Sequence, residues 1–91
     1  MCNKVYVYSD DISVFPIHNG VYIHSLSKDE FFTIEEGVGT YVWSQLDGTK
    51  DIGQIVKEVA RLCRRETNEV AEDIAEFVEE LLDKRLIEEK S

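Results

Sequence analysis

The chain has 91 residues, enough for one domain with one core, since domains most often run to roughly 100–150 residues; that length excludes a two-domain enzyme. Its 43% hydrophobic and 32% charged residues make it too apolar for disorder, and no apolar run approaches the roughly 18–20 residues of a membrane-spanning helix. Ten Lys and Arg against nineteen Asp and Glu leave a net charge of −9, which repels a phosphate backbone and argues against nucleic acid as a partner.

Met1 to Val5 shows no basic n-region, apolar stretch and small-residue cleavage site, so no secretory signal is expected and a cytoplasmic location is the default. Lys4 to Tyr8 reads as a short strand. Ile12–Ile17, Val21–Leu26 and Glu30–Ile34 are crowded with β-branched and aromatic residues and separated by short polar turns, which predicts an antiparallel three-stranded meander. In the first turn, Asn19-Gly20 is the pair suited to positive φ. Pro16 cannot donate to a ladder, which places its strand at an edge or puts a bulge there.

Helix-forming residues take over after residue 35. A first helix is expected over Glu36–Leu46, with Val38, Val42 and Leu46 on one stripe, Glu35 and Glu36 at its positive end, and Asp47-Gly48 ending it. A second starts after Thr49 or Asp51 as cap and carries Ile52, Ile55, Val56, Val59, Ala60 and Cys63 at helical spacing, with Arg61, Arg64 and Arg65 clustered at its C-terminal end. A third begins at Thr67 or Asn68 and runs to Lys84, its stripe Val70, Ile74, Phe77, Val78, Leu81 and Leu82 facing the core. Leu86-Ile87 closes over that core. The order predicts an α+β fold, an N-terminal three-stranded antiparallel sheet followed by three helices in a winged helix-turn-helix-like arrangement, as one domain over residues 1–91.

Little in the chain could assemble a catalytic or metal site. His18 and His24 have no metal-spaced partner, and Cys2 and Cys63 read as free thiols, Cys63 buried as a small hydrophobe on its helix stripe. Gly37-Val38-Gly39 lacks the Lys and hydroxyl residue of a phosphate loop, and close packing of the first helix is its expected use. Neither a cofactor nor a metal is expected, and an enzyme is the third-ranked reading. A winged-helix DNA-binding regulator is the runner-up, but Glu66 to Asp83 carries eight acids and no Lys or Arg, the wrong charge for a recognition helix. Most of those acids are expected to form a solvated face, the alternative reading being a surface that meets a basic partner. More informative is the third strand of the meander: an exposed edge there can take up an extended peptide, with Phe31 and Phe32 pointing to opposite faces.

Phe32-Thr33-Ile34, then Val38-Gly39-Thr40-Tyr41-Val42-Trp43-Ser44-Gln45-Leu46-Asp47-Gly48, then Asp51-Ile52 to Val56, and finally Val70 to Leu82 followed by Leu86-Ile87, resemble the PqqD-like family, the RiPP recognition elements of peptide-modifying gene clusters. The resemblance covers about residues 12–88, the expected core of the domain, and is most specific in Trp-x-x-Leu-Asp-Gly together with the third-helix pattern. Ile34 to Val38 holds one residue more than the family's pattern. The resemblance implies a non-catalytic domain that captures the N-terminal leader of a ribosomally made precursor as an added strand, in the groove between the third strand and the third helix. It implies delivery of that leader to modifying enzymes. The preferred reading is the lasso-peptide type, serving a leader protease and a cyclase; the alternative is a peptide chaperone for a radical S-adenosylmethionine enzyme. Carried over by position, Phe31, Phe32, Thr33 and Ile34 supply the pairing edge and Val70, Asp73, Ile74 and Phe77 the helix side, with Glu69 and Asp73 available to basic leader residues. An exposed edge also allows a homodimer.

Overall fold

The computed structural model describes residues 4–90. In chain order it contains β1 (Tyr6–Tyr8), β2 (Ile12–Ile17), β3 (Gly20–Ser25), β4 (Glu30–Glu35), α1 (Val38–Gln45), α2 (Ile52–Cys63), α3 (Thr67–Asp83) and β5 (Ile87–Glu89). The expected meander is the antiparallel sheet β2-β3-β4, and the expected third strand is β4. One face carries Ile23 and Ile34 into the core with Ile12, Val21 and Phe32 packed against it, the period-2 pattern of a half-buried sheet. The short strand expected near residue 4 is β1, which pairs antiparallel with β5 as a second, two-stranded sheet, so Leu86-Ile87 does more than cover the core.

The hydrogen bonds bracketing the meander set its edges. Glu36 N donates to Asn19 O at 2.7 Å and Leu26 N to Asp11 O at 2.9 Å. Bonded and non-bonded pairs alternate in an antiparallel ladder. With the register Val21↔Ile34 and Ile23↔Phe32, the backbones of Phe32 and Ile34 therefore bond to β3, while those of Phe31, Thr33 and Glu35 point to the open side of β4. By the same alternation Pro16, opposite Val21, turns its donorless nitrogen to the open side of β2. One edge of the sheet is blunted and the other offers donors.

Several local expectations shift. The β2–β3 turn is His18-Asn19, and Gly20 opens β3 at φ 144, where a Cβ would lie 2.0 Å from Ile34 O. β4 keeps Glu35, and Glu36 is held by Asn19, so α1 starts at Val38 behind the N-cap Gly37 and neither Glu35 nor Glu36 lies in its first turn. Of the two glycines there, Gly39 packs closely, against Ile34 and Phe77, while Gly37 has nothing near it. Of the two expected caps, Asp51 rather than Thr49 caps α2, its carboxylate accepting from Gln54 N at 2.8 Å while the Gln54 side chain accepts from Asp51 N at 2.9 Å. Glu66, rather than Thr67 or Asn68, is the N-cap of α3, without a side-chain bond. Cys63 is exposed: the apolar stripe of α2 is buried only from Ile52 to Ala60, and beyond it a cleft separates Cys63 from Val38 and Tyr41 of α1. Cys2 lies outside the described residues.

The core joins Ile23 and Ile34 to Val42, Trp43 and Leu46 of α1 and its end, Ile55, Val56 and Val59 of α2, Val70, Ile74, Val78 and Leu81 of α3, and Leu86. Tyr6 of β1 belongs to it as well. Next to it, Tyr8 donates its phenol to Trp43 O at 2.6 Å, the two rings 4.7 Å apart. Burial, and secondarily the Asp47 carboxylate, raise the Tyr8 pKa above its ordinary 10.0. The folded chain thus holds this proton more tightly than the unfolded chain. The associated stability is complete below about pH 10 and is lost as pH rises through the folded value. Tyr8→Phe is expected to cost about 1 kcal/mol at pH 7 for the lost hydrogen bond and to shallow the alkaline decline in urea unfolding between about pH 9 and 11. An unchanged alkaline slope would remove Tyr8 from that account. Tyr41, raised by burial and by Glu58, keeps its own share of the slope.

Candidate functional site

β4 and α3 flank the candidate site, with Gly39 of α1 between Ile34 of the strand and Phe77 of the helix. A side chain there would meet Ile34 Cγ2 at 3.2 Å and the Phe77 ring at 3.9 Å, so the bare backbone leaves a gap between strand and helix. At the far end the Lys84 ammonium stands 5.8 Å from the centre of the Phe32 ring, tying the C-terminus of α3 to the same strand.

Two clefts meet along α3. The first, about 250 Å³, is mostly apolar and lies among Val38, Gly39 and Val42 of α1, Val59 of α2, and Val70, Ile74 and Phe77 of α3, with Arg65 and Asp73 at its border. A second, wider one of about 560 Å³ runs along Asp73, Glu76, Phe77, Glu79, Glu80 and Asp83. Asp73 and Phe77 belong to both, so one helix presents an apolar stretch and then an acidic one.

Each residue singled out in the sequence has a definite place. Phe31 and Thr33 are exposed, with their backbones turned to the open edge; Phe32 is half-buried and Ile34 buried on the inner face, their backbones engaged with β3. Val70, Asp73, Ile74 and Phe77 line the first cleft together, whereas Glu69 does not. Arg65 is the residue that sequence reasoning passes over: its guanidinium is 3.0 Å from Asp73 and 3.4 Å from Glu69. The two acids expected to await a basic ligand are already engaged, and Asp73 in particular holds the Arg65 pKa above its ordinary value. The signal is present in the spacing, since Glu69 and Asp73 lie one turn apart on α3 and Arg65, in the link just before that helix, stands four residues ahead of Glu69. Val38, Gly39, Val42 and Val59 read in the sequence only as packing residues, and as cleft lining they carry no sequence mark.

His24 Nε2 bonds Asp29 Oδ1 at 2.9 Å and its ring stacks on Phe31, a partner missed because Asp29 reaches it from the turn after β3. Among the described residues no three of His, Cys, Asp and Glu converge as metal ligands, and no helix is long and apolar enough to cross a membrane.

Residues 26–87, spanning β4 and all three helices, match the family described as Coenzyme PQQ synthesis protein D (PqqD). The chain belongs to the PqqD family. The resemblance drawn from Phe32 to Ile87 is thereby borne out, and with it the α+β arrangement of a sheet followed by three helices. Among solved structures, this PqqD-family chain is similar to the one described as TbiB1 in complex with the TbiA(beta) leader peptide, at 26% identity and a TM-score of 0.82, over 90% of this chain and 94% of that one. No curated protein compared with it matches in sequence.

Proposed function

We propose that this protein captures the leader segment of a ribosomally synthesised precursor peptide by strand addition to β4, in the groove against α3, and presents it to peptide-modifying enzymes. The observation that carries the reading is the open edge of β4, with Phe31, Thr33 and Glu35 directing backbone groups away from β3 beside a cleft walled by Val70, Ile74 and Phe77. Main-chain bonds along such an edge supply affinity, and the cleft selects side chains. Family membership and the likeness to a leader-bound protein support the same role.

In detail, Phe31 and Thr33 pair with the leader, while Phe32 and Ile34 fix the strand to the sheet and the core. Asp73 positions Arg65 at the cleft border, leaving Glu76, Glu80 and Asp83 as the acids facing basic leader residues. The chain acts as one non-catalytic, intracellular domain over residues 1–91, and its preferred clients are the leader protease and cyclase of a lasso-type pathway. A radical S-adenosylmethionine enzyme is the client in the alternative that the PqqD match supports.

The deciding experiment is fluorescence anisotropy of a labelled leader, taken from the precursor encoded beside this chain and titrated with the purified protein. Saturable binding at about 1 μM or tighter, roughly −8 kcal/mol, is expected. Retention of duplex DNA at moderate salt with no leader binding would instead support the winged-helix regulator.

A further inference from the structure

We propose that the polar cavity at the end of β3 is a carboxylate-binding site, filled by an acidic side chain of the precursor peptide just beyond the segment paired with β4. The inference rests on leader capture at β4 and adds a second point of recognition outside the groove.

The cavity, about 330 Å³, lies where the link from β1 to β2, the turn from β3 to β4, the end of α3 and β5 come together. None of its lining residues belongs to the two clefts along α3. Ser25 is its innermost donor. It is 4% exposed and stands opposite Ile12 and Glu30 on the inner face of the sheet, two residues from the fully buried Ile23. Its hydroxyl has no hydrogen-bond partner among the described residues. Since no side-chain oxygen or nitrogen among them is both sealed from solvent and unpaired, that hydroxyl opens on the cavity it lines. Alanine would pack in the same place with no polar atom to satisfy, so the hydroxyl serves as a donor to whatever enters.

The other donors are of the same kind. Ser9 Oγ accepts from Asp11 N at 3.1 Å, which leaves its O–H free to donate. The Lys28 ammonium and the Arg85 guanidinium, both lining the cavity, form no ion pair among the described residues. Arg85 has φ 59 in the turn that closes α3, with Arg85 N donating to Leu82 O and Leu86 N to Leu81 O, a place where glycine is the usual residue. An arginine there puts a cation at the cavity at some cost to the backbone. Of the two acids in the lining, Asp11 is engaged with Ser27, accepting from its N–H at 3.1 Å and from its hydroxyl, and Glu88 is exposed on β5.

Two cations and two free hydroxyl donors suit an oxyanion. Asp11 and Glu88, in a chain of net charge −9, favour a singly charged carboxylate over a phosphate dianion. Chain polarity supplies its source. A strand added antiparallel to β4 runs from Glu35 toward Glu30, so its C-terminal continuation leaves the sheet beside the turn that carries Lys28. Neighbouring strands lie about 4.8 Å apart, so the path from an added strand past β4 to the end of β3 is about 10 Å, or about three extended residues. An Asp or Glu about three to five residues beyond the paired segment therefore reaches the cavity.

The test compares two labelled peptides from the precursor by anisotropy, one ending with the paired segment and one continuing about ten residues further. The parent protein is expected to bind the longer peptide about tenfold tighter, a gain lost when the acids of the extension are changed to their amides. Ser25→Ala, and separately Lys28→Gln/Arg85→Gln, are expected to abolish that gain while binding the shorter peptide as the parent does. Circular dichroism should show Ser25→Ala melting no lower than the parent, since the hydroxyl it removes has no partner. Lys50→Gln/Lys57→Gln, which removes two cations outside the cavity, is expected to keep the gain. Equal affinity of the parent for the two peptides would overturn the inference alone, as would an extension that binds tighter without an acid. A gain that survives Ser25→Ala and falls equally in the two double variants would also overturn it, by reducing it to general charge attraction. A parent protein that binds neither peptide would overturn the capture reading and this inference with it.

Discussion

Thr33→Pro is expected to weaken leader binding by about 100-fold, roughly 2.8 kcal/mol, while the protein still folds. Thr33 lies opposite Tyr22 at a position whose backbone faces away from β3. Proline there removes an outward donor without taking a bond from the sheet, and its ring obstructs an incoming strand. Ile34→Pro, one residue on, is the matched control. Ile34 N–H belongs to the ladder with β3 and its side chain is in the core, so that change is expected to unfold the protein. Anisotropy and thermal unfolding across Phe31 to Glu35 should therefore alternate, with binding losses at odd positions and folding losses at even ones. Equal losses of binding at odd and even positions in folded variants would rule out strand addition to β4.

Gly20→Ala carries the second large effect, on stability. The new Cβ would sit 2.0 Å from Ile34 O and 3.0 Å from Glu36 N, both backbone atoms of a paired strand end that cannot step aside. Its φ of 144 adds strain for any residue with a side chain. Together these are expected to cost about 3–4 kcal/mol, which for a domain of this size lowers the melting temperature by about 15 °C or more. Gly37→Ala separates the two causes, because Gly37 has a similar φ of 139 and open space around it. It should lose only the strain part, and equal losses at the two positions would refute the clash with Ile34 as the main source of the damage.

The elements were legible where one physical signal dominated. Alternation of β-branched and aromatic residues marked β2, β3 and β4, and the cap candidates Thr49 and Asp51 marked the start of α2. What escaped were features set by neighbours in space. The start of α1 depends on Asn19 accepting from Glu36, and the β4–β3 register decides that bond. Cys63 follows the apolar period of α2 faithfully, yet it is exposed, at a cleft it shares with Val38 and Tyr41 of α1. In the site, the β4 edge could be named from the order of elements and the α3 wall from the family resemblance, while the cleft among α1, α2 and α3 beside that edge could not. Its depth comes from Gly39 meeting Phe77, residues 38 positions apart that no periodicity connects. The Arg65 pairings show the same limit, for an acid-rich helix reads as unsatisfied until its cation is located.

Pro16 also governs stoichiometry. A sheet able to accept strands on both sides could string copies or peptides into an open-ended ribbon, the route by which edge strands seed fibrils. Here the β2 side has Pro16 among its three outward positions, Ile12, Val14 and Pro16, so a strand added there would lack one donor that β4 does not lack. A second copy paired through β4 would make a closed six-stranded dimer with Pro16 at both outer margins, and it would occupy the edge that a leader needs. On the proposed mode of capture, self-association through β4 and leader binding would thus exclude one another.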